Sequence, residues 1–282
     1  MNSSVIITAD SPADLSGDLT ARFNVKVMPL HIILDGKSYR DGIDITSENL
    51  FDYYDKNKVL PSTAAVSSAE YLDFFDKLTN DGSSVVHLSL SSEISSTHQN
   101  AALAARGRED IYVVDTKNLS SGMALLVLFA CELRDGGHSA AEIFERLTQL
   151  LPKVRASFVL DTLDYMSKGG RCSSVTAFGA NILGIKPSIE MSGGKLGLAK
   201  KYRGKQRDVM FRYISDRLCG AEEIDTKRAF LVHTGLSDAL REDLRGLISD
   251  LVPFEEVLEA TASCTISTHC GPGCMGVMYM VK

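Results

Sequence analysis

The chain has 282 residues, of which 44% are hydrophobic and 23% charged, and its formal net charge is −6. This composition is typical of a well-cored globular protein, and the length leaves room for two domains. The negative charge disfavours nucleic acid or an anionic membrane surface as a partner, because both need a basic protein surface.

The start of the chain and its cysteines bear on where the protein works. Met1 to Ser4 contain no basic residue and the apolar run after them ends at Asp10, so we predict no signal peptide. The longest apolar stretch, Met123 to Cys131, is far shorter than the ~20 residues of a membrane span. Three of the six cysteines stand apart in apolar or mixed surroundings, as buried thiols do in a reducing cytosol. We therefore expect a cytoplasmic protein without stable membrane insertion.

The first half of the chain alternates predicted strands with predicted helices. Short β-branched runs bounded by polar residues predict buried strands at Val5–Thr8, Ser84–Leu90 and Ile111–Val114. Helical composition marks Ala69–Leu78, Ile94–Arg106, Leu119–Leu133 and Ala140–Leu151. This alternation predicts an α/β fold with a mainly parallel sheet covered on both faces. The polar, glycine-punctuated stretch Gly36 to Ile45 indicates a hairpin or loop near the sheet edge.

A second α/β unit is predicted after Pro152, which gives domains of 1–155 and 156–282. Its predicted strands are Ala156–Leu160, Arg228–His233, Glu256–Ala260 and Met275–Val281. Leucines and Ile248 on one face predict an amphipathic helix over Leu240–Leu251, and Gly193-Gly194 indicates a hairpin turn. A further helix, Val175–Ile185, is apolar on nearly every side, so it either lines an apolar cavity or is a plain core helix.

Polar side chains follow three predicted strands of the first half. They are Asp10-Ser11, Ser91-Ser92 and Asp115-Thr116. In open parallel sheets a ligand crevice lies beyond the carboxyl ends of the strands, so these groups could converge on a site. Each of them could equally cap the helix that follows. The sequence leaves both interpretations open.

The stretch Leu90 to Gln99 clusters hydroxyl side chains between a buried strand and a helix. A helix N-terminus offers unpaired N–H groups, and hydroxyls add neutral donors, which suits a single carboxylate. The phosphate-binding pattern G-x-x-x-x-G-K-[ST] is absent and no G-x-G-x-x-G follows a predicted strand, so a nucleotide ligand is disfavoured. A serine hydrolase using Ser95, His269 and an Asp is an alternative. It lacks the G-x-S-x-G motif, and Ser95 is expected inside the first turn of a helix.

Three cysteines and a histidine lie close together between Cys264 and Cys274. The ligand types suit zinc, but the spacings do not match paired C-x₂-C motifs, and adjacent His269 and Cys270 would not easily bind one ion. A tight Gly-Pro-Gly turn among small buried residues is favoured, and we expect no metal. His269 stands just before that turn and is the group best placed to reach a ligand.

Taken together, these motifs resemble the DegV family over nearly the whole chain. The segments that carry the resemblance are Thr8 to Leu15, Val27 to Leu30, Tyr39 to Gly42, Pro61 to Thr63, Ser91 to Thr97, Lys168 to Arg171, Ile185 to Pro187 and Thr268 to Gly273. The resemblance implies two α/β domains with a long-chain fatty acid between them. The N-terminal domain would carry the carboxylate-binding loops, and the C-terminal domain would cover the acyl chain.

The resemblance also implies roles for individual residues. Thr63 and Ser95 would hold the fatty acid carboxylate with His269 as a third donor. The residues near the head group, or facing a partner, would be Arg171, Ser96, Asp10 and Ser11. The chain departs from the family pattern at Ala64, Ala65 and Val66, where a hydroxyl near the head group is lost, and at Ser96 and His98.

A carrier without catalysis of its own is the function that this resemblance implies. It would present the fatty acid to a separate fatty acid kinase, which forms an acyl phosphate for phospholipid metabolism. Apart from the bound fatty acid, we expect no cofactor. A stand-alone serine hydrolase and a lipid sensor without a kinase are the alternatives.

Overall fold

The structure is a computed structural model, and it describes residues 4–172, 184–220 and 223–282. The predicted apolar helix Val175–Ile185 therefore lies outside the described residues, except for its last two positions. Of these, Ile185 begins a β-strand. The prediction that this helix lines a cavity stays a prediction.

The elements of the first half follow one another in the predicted alternation, with additions. The strands are β1 (Val5–Asp10), β2 (Lys26–Met28), β3 (His31–Leu34), β4 (Lys37–Arg40), β5 (Ser62–Ala64), β6 (Ser84–Ser89) and β7 (Ile111–Asp115). The helices are α1 (Gly17–Arg22), α2 (Ser47–Asn57), α3 (Ser68–Thr79), α4 (Thr97–Ala104), α5 (Ser120–Asp135) and α6 (Ala140–Leu150). Strands β2 to β5 and helices α1 and α2 were not predicted individually, because most of them are short or polar.

The second half contains six strands among the described residues. They are β8 (Val154–Val159), β9 (Ile185–Ser192), β10 (Lys195–Arg203), β11 (Ile224–His233), β12 (Glu256–Thr261) and β13 (Met275–Val281). The helices are α7 (Asp164–Gly169), α8 (Gln206–Leu218), α9 (Asp238–Leu251) and α10 (Cys264–Cys270). The predicted turn at Gly193-Gly194 joins β9 to β10, and both glycines have positive φ.

The first sheet has the order β2-β1-β6-β7, and its neighbouring strands are all parallel. This confirms the mainly parallel sheet predicted from β-branched runs. A separate antiparallel sheet, β4-β3-β5, contains a hairpin of β3 and β4, whose turn residues Asp35 and Gly36 both have positive φ. This hairpin begins before the predicted stretch Gly36 to Ile45 and shares with it only Gly36 and β4. The larger sheet of the second half runs β10-β9-β8-β13-β11-β12, and only the β11–β12 pair is parallel.

Helix α5 lies between the two main sheets and contacts β1 on one side and β8 and β13 on the other. Twelve of its sixteen residues are buried, because Met123 to Ala130 offers an apolar side chain in nearly every direction. One hydrophobic cluster therefore runs from Ile7 and Leu88 in the first sheet to Phe158 and Phe230 in the second. No helix in the described part of the chain is long and apolar enough to span a membrane.

Asp10 is fully buried, so it does not face a partner at the surface, and its assignment near the head group stays a prediction. Its Oδ2 accepts a hydrogen bond from the Leu90 N–H at 2.8 Å, and its Oδ1 accepts one from the Tyr71 hydroxyl. The Nε2 of His87 lies 3.3 Å from the same carboxylate. Asp10 therefore joins the ends of β1 and β6, and its side chain is not exposed to solvent.

Ser11 has a similar structural role. Its hydroxyl donates to Asp41 Oδ2 at 2.9 Å and accepts from the Leu30 N–H at 3.1 Å. Both hydrogen bonds fix the chain after β1, and the assignment of Ser11 to the head group or to a partner-facing surface stays a prediction.

Replacing Tyr71 by Phe should destabilise the fold, because the buried Asp10 carboxylate loses a hydrogen-bond donor. The expected cost is about 1–3 kcal/mol in the free energy of unfolding, measured by urea denaturation. Tyr112→Phe, which removes the same atom from a half-buried ring on β7, is the matched control. Equal effects of the two variants would contradict a supporting role of Asp10.

Candidate functional site

A cavity lies between the two main sheets and encloses about 680 Å³, counting the part that is open to solvent. The first half of the chain contributes apolar walls from Leu90 and Ile94, which follow β6, and from Leu119, which follows β7. Phe158 on β8 and Leu196 on β10 supply the opposite wall. The cavity is thus mostly apolar and is formed by residues that are distant in sequence.

The polar lining of this cavity includes five of the seven predicted site residues. They are Thr63, Ser95, Ser96, Arg171 and His269. Only Asp10 and Ser11 are absent from its lining. Hydroxyls, one imidazole and one guanidinium therefore meet a cavity whose other walls are hydrocarbon.

The hydroxyl of Thr63 is hydrogen-bonded to Nε2 of His269 at 2.9 Å. Thr63 stands on β5, where it pairs with Ile32 of β3, and His269 stands in the last turn of α10. The bond joins residues 206 positions apart, so the small antiparallel sheet and α10 together build this corner of the cavity.

Helix α10 was not predicted, and it replaces part of the expected irregular segment. Its N-cap is Ser263, whose hydroxyl accepts from the Ile266 N–H at 3.4 Å. The helix ends at Gly271, which has φ +74, and a Cβ there would lie 2.5 Å from the Tyr165 ring. The Gly-Pro-Gly turn thus follows a short helix. Thr265, Ile266 and Cys270 of this helix also line the cavity, and sequence reasoning missed all three.

His269 is neutral at physiological pH. Burial, and then the nearby Arg171 guanidinium, lower the pKa of His269 from its ordinary value of 6.5 to about 4. Its Nδ1 is buried without a hydrogen-bond partner in the described part of the chain. A Cβ built on Gly169 would lie only 2.4 Å from this atom, so the imidazole fits there only because residue 169 has no side chain.

Arg171 stands at the exposed rim of the same corner. Its Nη1 donates to the Gly169 carbonyl at 2.8 Å, which fixes the backbone that packs on His269. The positive charge of the guanidinium disfavours protonation of the nearby imidazole, so the His269 ring is the neutral member of this pair. An anion in the cavity would therefore meet a fixed cation and neutral donors.

Ser95 lies two residues before α4, and not inside the first turn of a helix as expected. Its hydroxyl accepts from the Thr97 N–H at 3.2 Å and shares a 2.7 Å hydrogen bond with the Thr97 hydroxyl. Among the described residues, no hydrogen bond joins Ser95 to a histidine. The serine–base contact that a hydrolase needs is therefore not formed there.

The cysteines near His269 serve packing. The Cys264 thiol donates to the Ile45 carbonyl at 3.2 Å, and burial raises the pKa of that thiol to about 12. Cys270 and burial together raise the pKa of Cys274 well above its usual range. Across residues 4–172, 184–220 and 223–282, no group of three His, Cys, Asp or Glu side chains is arranged to hold a metal ion.

The fold and the cavity define a class: a two-part α/β protein whose mostly apolar cavity ends in hydroxyls and a neutral imidazole. Residues 4–282 match the family model described as uncharacterised protein, DegV family. DegV domain-containing proteins of Clostridium acetobutylicum and Caldanaerobacter subterraneus are 30% and 31% identical to this chain. The first match covers 98% of each chain and the second 99%. The chain belongs to the DegV family.

Solved structures of the family share this fold. A structure described as fatty acid binding of a DegV family protein from Thermus thermophilus matches with TM-score 0.90 and 28% identity over 100% of both chains. A DegV lipid-binding protein from Thermotoga maritima matches with TM-score 0.86 and 25% identity, covering 99% of this chain and 98% of the other.

Replacing Gly169 by Ala should displace the His269 ring from Thr63, because the new methyl group would overlap Nδ1. A ring that moves toward solvent should titrate higher, so we expect the His269 pKa to rise from about 4 toward 6.5. An NMR pH titration of the imidazole measures this. In Gly246→Ala, where a Cβ would meet nothing within 4 Å, the pKa should stay unchanged. Equal pKa values in all three proteins would contradict the contact.

The depressed pKa of His269 also links stability to pH. Since the folded pKa of about 4 lies below the unfolded value near 6.5, the contribution is complete above pH 6.5 and is lost as pH falls toward 4. His269→Gln should therefore show a weaker loss of stability between pH 6.5 and 4.5, by at most about 3 kcal/mol. Urea denaturation at several pH values measures the difference. The rise in the pKa of Asp14 to about 7 acts in both proteins and cancels in this comparison. Parallel curves for the two proteins would be evidence against the buried neutral ring.

Proposed function

We propose that this protein binds one long-chain fatty acid in the cavity between the sheets, with the carboxylate held by Thr63, Ser95 and His269. The observation that carries the proposal is the composition of the cavity: hydrocarbon walls come from both halves of the chain, and these three groups are among its few polar lining residues. The relatives from Thermus thermophilus and Thermotoga maritima, described as binding fatty acid and lipid, support the same ligand class.

The energetics favour binding through the acyl chain. Each buried methylene contributes ~0.8 kcal/mol, so a long chain offers on the order of 10 kcal/mol before the cost of association. The polar groups then need only fix the carboxylate. Thr63 and Ser95 can donate hydroxyl hydrogens to it, and the one N–H of a neutral His269, on Nε2, can donate to the Thr63 oxygen, which leaves the Thr63 hydroxyl hydrogen for the carboxylate. Arg171 and Ser96, at the rim of the cavity, would lie near the exposed side of the head group.

We further propose that the protein has no catalysis of its own and presents the carboxylate to a separate fatty acid kinase in the cytoplasm. The kinase would form an acyl phosphate that feeds phospholipid metabolism. The absence of catalysis is supported by Ser95, which among the described residues bonds Thr97 and no histidine, and the kinase role follows from the resemblance to the family. Arg171, exposed beside the cavity, would neutralise the phosphorylated head group or contact the kinase.

The site assignment is tested by Ser95→Ala. Losing a hydroxyl that bonds a carboxylate should weaken fatty acid binding about tenfold. It should reduce acyl phosphate formation when a fatty acid kinase and ATP are added. Calorimetric titration with a fatty acid measures the first effect, and trapping the acyl phosphate with hydroxylamine measures the second. Ser92→Ala, in the same loop but absent from the cavity lining, is the control.

Several outcomes would overturn parts of the proposal. If Ser95→Ala kept both lipid binding and kinase-coupled turnover, the carboxylate site would be wrong. Mass spectrometry of ligand extracted from the purified protein should find a fatty acid, and a different ligand would reject the ligand class. A burst of product from an activated ester would indicate a hydrolase. Lipid binding without any kinase-coupled product would favour a sensor.

A further inference from the structure

The position of His269 depends on a helix that is too short to be stable alone. Helix α10 has seven residues, and isolated helices shorter than about 12–15 residues are marginal in water. His269 stands in its last turn, and Thr265 and Ile266 of the same helix line the cavity. Whatever anchors the first turn of α10 therefore fixes this wall of the cavity.

A buried carboxylate from a distant part of the chain anchors that first turn. Asp41 Oδ1 accepts from the Cys264 N–H at 2.8 Å, and Oδ2 accepts from the Thr265 N–H at 3.1 Å. The Thr265 hydroxyl also donates to Oδ2, at 2.6 Å. These bonds satisfy N–H groups that a helix cannot pair internally, and a negative charge there complements the helix dipole. Asp41 is 3% exposed and does not line the cavity.

Asp14 is a second, weaker anchor. Its Oδ1 accepts from the Ser263 N–H at 2.8 Å, and its other oxygen accepts from the Ser120 hydroxyl. Burial raises the pKa of Asp14 to about 7, with the nearby Asp41 adding to the rise, so this carboxyl is partly protonated at neutral pH. Asp41 makes three bonds to the first turn of α10 and Asp14 makes none beyond its N-cap.

We propose that Asp41 is a positioning residue for ligand binding: it holds α10 so that His269 meets Thr63 at the polar end of the cavity. The inference rests on the proposed function, because it assigns Asp41 a role in holding the fatty acid without touching it. Asp41 acts through about one and a half turns of helix. Its effect on the ligand should therefore pass through His269.

The variant that tests this is Asp41→Asn. The amide keeps the size of the side chain but replaces one acceptor with a donor, which faces the N–H or hydroxyl donors of α10 or of Ser11. We expect about tenfold weaker binding of palmitate by calorimetry, which matches the usual cost of a lost helix cap. The His269 pKa should rise from about 4 toward 6.5 in an NMR titration. The control is Asp44→Asn, three positions along the chain from Asp41. It removes a charge from an exposed ion pair with Arg40, and it should change neither the palmitate affinity nor the His269 pKa.

A double-mutant cycle separates positioning from general damage. In a His269→Ala background, Asp41→Asn should weaken palmitate binding less than twofold, because the group that it positions is gone. A tenfold loss in both backgrounds would overturn the inference, as would wild-type affinity of Asp41→Asn. If Asp41→Asn does not fold, Ser11→Ala removes one hydrogen bond to the same carboxylate. It should give about threefold weaker binding in wild type and no change in His269→Ala.

Failure of the inference and failure of the proposed function are distinguishable. If wild type binds no palmitate, or if His269→Ala binds it as tightly as wild type, the proposed carboxylate site fails. If both of those controls behave as expected while Asp41→Asn matches wild type in affinity and in the His269 pKa, only the positioning role is rejected.

Discussion

The polar end of the cavity depends on one hydrogen bond, between the Thr63 hydroxyl and His269 Nε2. It closes a loop of more than two hundred residues and joins a three-residue strand to a seven-residue helix. Neither element is stable by itself, so the contact exists only because larger parts of the fold bring both pieces together. Strand β5 is held by β3, and α10 is held by buried carboxylates. The geometry of the site is thus a property of tertiary structure.

Burial explains the chemistry of this corner. An imidazole taken out of water without a carboxylate beside it stays neutral, and the Arg171 charge strengthens that preference. A carboxylate that entered would find short-range donors and one rim cation in place of a buried ion pair. Buried ion pairs are costly to form, because both partners lose their hydration. A neutral site of this kind suits a ligand whose affinity comes from its hydrocarbon chain and whose head group has to stay accessible.

Much of the core could be predicted from the sequence, and the reasons are physical. Strands β1, β6 and β7 were predicted because short β-branched runs mark strands buried on both faces. The hairpin β9–β10 was recognised only at its glycine turn, since its strands are mixed in polarity and β10 lies at the sheet edge. Helix α10 was missed because its residues are small and polar, and its stability comes from distant carboxylates. These carboxylates, Asp14 and Asp41, lie more than two hundred residues before α10, so the local sequence gives no sign of them.

The candidate site also contains residues that were predicted correctly to line it and residues that were not. Thr63, Ser95, Ser96, Arg171 and His269 were assigned by resemblance, and they do line one cavity. Asp10 and Ser11 were assigned partly from the rule that ligands bind beyond the carboxyl ends of parallel strands. The cavity does lie beyond the ends of β6 and β7, but the residues that follow β1 do not line it, because the Asp10 carboxylate is hydrogen-bonded to the Leu90 N–H and the Tyr71 hydroxyl.

The acidic residues of the N-terminal motifs therefore do different work from the hydroxyls and the imidazole. Asp10 joins two strands, whereas Asp14 and Asp41 reach across the molecule to the N-terminal end of α10. None of the three carboxylates lines the cavity. A negative charge inside it would repel an acidic ligand, whereas the same charge behind a helix start stabilises the helix and leaves the cavity wall neutral. Asp14 and Asp41 can thus lie close to a site that accepts an anion, because they bond the start of α10 and do not line the cavity.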